Sequence, residues 1–127
     1  MKQYNFNLQY PKPLFENEHS DLLKIAQSGL FSRYSSDYVD NLEQKLAKYY
    51  QTDYAITCTS GTAALHGCLV ALDFKPGSEV ITTSVADIGI IIPIIYENLV
   101  PVFSDIDSES FNITADMVLE KITKKTK

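Results

Sequence analysis

The sequence predicts a three-layer α/β fold, with a mainly parallel sheet flanked by helices, of which this chain carries a part. Two observations lead there. From Tyr54 onward, strand-like and helix-like stretches alternate three times. The strand-like stretches are mostly apolar rather than alternating, the pattern of strands covered on both faces by helices.

The elements follow in order. Residues 1–18 carry Pro11 and Pro13 among aromatic and polar residues, and read as an extended arm. A short helix is expected over Asp21–Gln27, started by His19 or Ser20 and ended by Gly29 as a left-handed cap. Leu30 to Ser35 is a loop containing Arg33 and Tyr34. Ser35 or Ser36 caps a second helix to about Tyr50. Its stripe of Val39, Leu42, Leu46 and Tyr49 at spacings of three and four makes it a surface helix packing on something larger.

Tyr54–Cys58 then reads as a strand, and Thr62–Leu72 as a helix apolar on most sides and so well buried. Pro76-Gly77 turns the chain into a second strand, Glu79–Thr82. Asp87 caps a helix to Glu97, and Pro101–Ser104 is a third strand. Asn112 or Thr114 caps a last helix, Ala115 to about Ile122. The basic run to Lys127 looks like a helix end leading toward a further strand that the chain does not reach. Residues 1–53 are thus an arm with helices, and 54–127 the start of an α/β domain, a single incomplete domain as a whole.

Composition narrows the function. The chain has 127 residues, 45% hydrophobic and 21% charged, as in a soluble globular protein of single-domain length. The net charge of −5 argues against nucleic acid as a partner, which needs a basic face. Cys58 and Cys68 form no metal set and no disulfide framework, and read as two small buried residues in a reducing compartment. No metal site is expected. The N-terminus is polar and aromatic rather than a signal peptide. Ile88–Tyr96, the longest apolar run, is far short of a membrane span and is interrupted by Gly89 and Pro93. A cytoplasmic protein without membrane contact is expected.

The chemistry centres on Ser60-Gly61-Thr62, where a strand gives way to a helix. Gly61 allows close backbone approach, and the helix dipole there favours an anion by about 0.3–1 kcal/mol before direct hydrogen bonds. By itself the triplet reads more readily as an ordinary cap. It lacks the glycine–lysine pattern of a P-loop and the G-x-G-x-x-G of a dinucleotide site. His66 reads as a packed helix residue, and Asp105 and Asp107 as loop and turn residues after a strand.

The wider pattern decides more. Ser60-Gly61-Thr62-Ala63-Ala64-Leu65-His66, Pro76-Gly77-Ser78-Glu79-Val80-Ile81-Thr82, Pro101-Val102-Phe103-Ser104-Asp105-Ile106-Asp107 and Phe111-Asn112-Ile113 together resemble the DegT/StrS family of sugar aminotransferases. The helix from Ser36-Asp37-Tyr38 to Leu46 and the Gly29 loop resemble it as well. The resemblance implies the large domain of a fold-type I enzyme that uses pyridoxal 5'-phosphate. It implies transamination of a keto-sugar nucleotide in nucleotide-sugar and polysaccharide biosynthesis, with glutamate as amino donor and a homodimer as the working form.

Carried over, Gly61 and Thr62, with Ser60 beside them, become the cradle of the cofactor phosphate. Asp87 falls where many members stack an aromatic side chain on the cofactor ring, a surface that an acidic group does not supply. Asp87 with Gly89 resembles a subgroup in which both occur. Asp87 is also a natural helix cap. Arg33 and Tyr34 fall where a substrate loop would be. The lysine that holds the cofactor as a Schiff base, and the carboxylate on its pyridine nitrogen, lie in this family downstream of Lys127. Lys124, Lys125 and Lys127 do not match that lysine's motif. No catalytic residue is therefore assigned here, and the chain alone is expected to be an inactive amino-terminal portion, truncated or completed by a second polypeptide. The alternatives are a non-enzymatic module binding a phosphorylated ligand, or a regulatory or structural remnant that associates with a full-length paralogue.

Overall fold

The computed structural model describes residues 16–127, and the chain divides into two compact units between Ala55 and Ile56. Most of the arm expected over 1–18 lies outside the described residues.

The first unit holds α1 (Glu16–Ser28), a 3₁₀ turn (Arg33–Ser35) and α2 (Tyr38–Tyr50). α1 begins earlier than its expected start, because Glu16–Ser20 contains neither proline nor glycine and continues the helix backward. Gly29 ends it at φ 66°, a conformation that only a residue without Cβ adopts cheaply. Ser35 does not cap α2. It forms a capping box with Ser32 around the 3₁₀ turn instead. Asp37 takes the cap position of α2 without a side-chain hydrogen bond.

The second unit holds α3 (Gly61–Leu72), β1 (Glu79–Thr83), α4 (Ile88–Tyr96), β2 (Val100–Ser104) and α5 (Ala115–Leu119). β1 and β2 pair in parallel, with Glu79 opposite Val100 and Thr83 opposite Ser104. α4 is the crossover between them, and α3 packs on α4. Leu99 and Ile94 are the buried apolar side chains among the described residues, 5% and 3% exposed. Pro93 and Ser104 are fully buried beside them. The Ser104 hydroxyl, at the carboxyl end of β2, has no hydrogen-bond partner among the described residues.

Four expectations are corrected. Residues 54–58 form no strand, and Ile56 is 81% exposed. A strand exists only through a neighbour's backbone, and among the described residues the sheet consists of β1 and β2. α3 has no buried residue; among the described residues its main packing partner is α4. Cys58, in the stretch that forms no strand, and Cys68, on α3, are exposed free thiols. The further strand does begin: Thr126 bridges Glu79 in parallel, on the edge of β1 away from β2. Glu79 N–H donates to Lys125 O at 2.9 Å, and Lys127 N–H donates to Glu79 O at 3.0 Å.

Asp105 and Asp107 serve local turns, as their sequence context indicated. Asp105 Oδ1 accepts from Ile106 N–H at 2.8 Å. Asp107 Oδ1 accepts from the Ser110 N–H and the Ser110 hydroxyl, both at 2.8 Å. These bonds, the backbone one first, hold the Asp107 carboxyl below its ordinary range. A depressed folded-state pKa gives stability that is present above the unfolded value and is lost as pH falls through the folded one. The 107–112 turn should therefore loosen on acidification below the ordinary carboxylate range. Amide exchange at Ser110 and Asn112 checks this: Asp107→Asn is expected to flatten its pH dependence.

Candidate functional site

Two helix starts define the site. Ser60, with φ −161° and ψ 164°, enters α3 from extended backbone, and its Oγ accepts from Ala63 N–H at 3.0 Å. Ser60 O accepts from Ala64 N–H at 3.0 Å. The N–H groups of Gly61 and Thr62 are left without hydrogen-bond partners among the described residues, as the first turn of a helix requires.

α4 is closed differently. Asp87 is its cap, and Asp87 Oδ1 accepts from Gly89 N–H at 2.7 Å. Asp87 O accepts from Ile90 N–H at 3.1 Å. A carboxylate thus already occupies the start of this helix.

The two starts lie at the same end of the unit. Thr62 lies against Gly89. One turn further along α3, His66 Nε2 lies 2.6 Å from Glu97 Oε1 at the end of α4. A carboxylate only accepts, so the imidazole donates. The His66 ring also packs edge-on against Tyr96, with centroids 5.8 Å apart. His66 is therefore a tie between two helices running in the same direction. A cavity of about 520 Å³ opens where they begin, lined by Gly61, Thr62, Ala64, Leu65, Asp87, Gly89 and Ile90.

The structure so brings together Gly61, Thr62 and Asp87. Ser60 stands beside them with its hydroxyl engaged in the cap. Free N–H groups on one wall and a carboxylate on the other suit a ligand that presents an anion to α3 and a different end to Asp87. Gly89 is the site residue whose contact with Thr62 sequence reasoning missed. Its signal was a lone glycine inside an apolar helix, which often marks close packing.

Arg33 and Tyr34 belong to the first unit and line a separate cavity there, of about 760 Å³. Arg33 Nη1 and Nη2 meet Glu43 Oε1 and Oε2 at 2.8 and 2.7 Å, and Nη2 reaches Asp40 Oδ1 at 3.3 Å. Its charge is thus engaged by α2. Tyr34 is 96% exposed, and its hydroxyl has no partner among the described residues. Among those residues, no group of three or more His, Cys, Asp and Glu could hold a metal ion. No helix there is long and apolar enough to cross a membrane.

Comparison with known proteins supplies the wider frame. Residues 14–127 match the model of the DegT/DnrJ/EryC1/StrS aminotransferase family. GDP-perosamine synthase of Escherichia coli O157:H7 is 36% identical over 113 residues, covering 89% of this chain and 29% of that protein. The protein of the same name from Vibrio cholerae is 33% identical over 118 residues, covering 93% and 32%. The chain therefore spans about a third of the length of these relatives. Among solved structures, an aminotransferase from Psychrobacter cryohalolentis superposes with a TM-score of 0.83 at 30% identity, over 91% of this chain and 29% of that one. An E. coli GDP-4-keto-6-deoxy-D-mannose-3-dehydratase with bound hydrated PLP superposes at 0.80 and 27% identity, over 91% and 31%. The family match spans residues 14–127 and the superpositions cover nine-tenths of the chain, and the chain belongs to the DegT/DnrJ/EryC1/StrS aminotransferase family.

Proposed function

We propose that this chain forms the phosphate-binding portion of a pyridoxal 5'-phosphate-dependent aminotransferase acting on a keto-sugar nucleotide, with glutamate as amino donor. The observation that carries it is the pair of unpartnered N–H groups at Gly61 and Thr62, which open onto a cavity at the start of a 12-residue helix. They fit a phosphate monoester: two donors, a helix dipole of the right sign and open space at Gly61, where nothing lies within 4 Å of a Cβ position.

The cofactor, when bound, supplies an electron sink for moving an amino group. The residues of this chain do simpler work. Gly61 and Thr62 hold the phosphate. Ser60 keeps their turn in shape. Asp87 occupies the start of α4 and repels a phosphate from it, which leaves the α3 start as the place where the anion settles. Tyr34 and Arg33 contact the substrate, Tyr34 through its free hydroxyl and Arg33 only if Glu43 releases it.

The same proposal includes a cytoplasmic location and a working form that is a homodimer or is completed by a second polypeptide. Lys124, Lys125 and Lys127 do not match the family's cofactor-holding lysine, so the chain alone should bind the cofactor without a covalent link and without transaminating. An absorption spectrum of the purified chain with pyridoxal 5'-phosphate tests this. Reversible, phosphate-competed binding with no protein-bound lysine adduct is expected. An adduct that disappears when glutamate is added would overturn the inactive-portion reading. Binding that free phosphate does not compete would overturn the cradle.

A further inference from the structure

Gly89, at the second position of α4, is buried against the first turn of α3. A Cβ built on it would strike Thr62 Oγ1 and would lie 2.8 Å from Asp87 Oδ1. Gly61 and Gly67, the glycines of α3, have nothing within 4 Å of the same position. The two helix starts thus touch where one of them has no side chain. Thr62, the residue on the other side of that contact, carries one of the two free N–H groups.

We propose that Gly89 is a positioning residue for the anion cradle. Its bare Cα lets the Thr62 hydroxyl and the Asp87 cap occupy the same space, and so fixes the Gly61 and Thr62 N–H groups toward the cavity. This rests on the phosphate-cradle reading given above. An added methyl strikes Thr62 Oγ1 hardest, and the first turn of α3 moves with Thr62; the longer approach to Asp87 Oδ1, 2.8 Å, is relieved by a small rotation of that terminal carboxylate. The movement of Thr62 displaces the donors and weakens anion binding.

The test is a titration of the full ¹⁵N-labelled chain with inorganic phosphate, following the Gly61 and Thr62 amide resonances, with a thermal melt of each variant. In the unsubstituted chain both resonances should shift saturably. Gly89→Ala should weaken phosphate by about tenfold. Thr62→Ala keeps its N–H and removes the atom that the new Cβ strikes. Adding Gly89→Ala to Thr62→Ala should therefore weaken binding by about twofold or less. If Gly89→Ala fails to fold, the double variant should recover both the fold and the binding. Equal phosphate affinity in folded Gly89→Ala and in the unsubstituted chain would overturn the positioning role and leave the cradle standing. So would a double variant bound as weakly as Gly89→Ala. Absence of any response to phosphate in the unsubstituted chain would remove the cradle itself.

Discussion

Ile94→Ala is expected to unfold the second unit, or to leave it only marginally folded. Ile94 is 3% exposed and stands next to the fully buried Pro93 on the crossover helix. Truncating a buried isoleucine to alanine costs about 2–5 kcal/mol, because transfer free energy is lost and a cavity is left. Ile94 also borders an apolar cavity of about 150 Å³ shared with Leu65, Val80 and Ile90. The new void would join an existing one, which places the loss toward the upper part of that range. The buried apolar core of this unit is small, so little remains to resist it. A urea titration followed by far-ultraviolet circular dichroism reads the effect. Ile94→Val should lose only about 0.5–1.5 kcal/mol. A midpoint for Ile94→Ala equal to that of the unsubstituted chain would show that the α4 contact with the sheet is not what holds the unit together.

Gly61→Pro is expected to separate binding from stability. Gly61 is the first residue of α3, the position at which proline is most at home in a helix. Its neighbour Ser60 is extended, the backbone that a following proline demands. Nothing lies within 4 Å of a Cβ at this position. The substitution therefore leaves the helix intact and stabilises the chain by about 0.4–1 kcal/mol by restricting the unfolded state. It also deletes one of the two free N–H donors. A hydrogen bond to a charged group contributes about 1.5–3 kcal/mol, so phosphate should bind roughly 10- to 100-fold more weakly. Isothermal calorimetry with pyridoxal 5'-phosphate, beside a thermal melt, measures both. A more stable variant with unchanged affinity would place the anion elsewhere than at α3.

The elements most legible in the sequence are those whose cause is local. Asp87 and Thr114 cap α4 and α5 as their spacing indicates, since a cap is a bond between a side chain and an N–H two or three residues on. β1, α4 and β2 also appear where expected, because a βαβ unit closes upon itself. Residues 54–58 were not legible in this way. Their composition is that of a strand, but β-propensity expresses fit to a neighbour, and among the described residues the sheet consists of β1 and β2 without them.

At the site, the S-G-T turn and Asp87 were visible as residue types, while their convergence was not. It depends on α3 and α4 touching at Thr62 and Gly89, a contact between segments far apart in the chain. The engagement of Arg33 by Glu43 was hidden similarly, since the two lie ten positions apart across the 3₁₀ turn and α2.

The small parallel bridge at Glu79 has a consequence for the sheet as a whole. β2 lies on one edge of β1, and residues 125–127 begin to pair on the other. The chain must therefore move outward from β1 to β2 and then back past β1. Parallel crossovers turn right-handed almost without exception, so two crossovers in opposite directions put α4 and α5 on opposite faces. Val80, Ile81 and Thr82 of β1 border a cavity shared with α3 and α4, and Glu79 accepts the Thr123 hydroxyl just beyond α5. Where winding reverses in this way, the carboxyl ends of adjacent strands part into a crevice that takes ligands. β1 ends at Thr83, and the chain from there leads straight to Asp87. The reversal therefore opens the sheet toward the place where the starts of α3 and α4 converge.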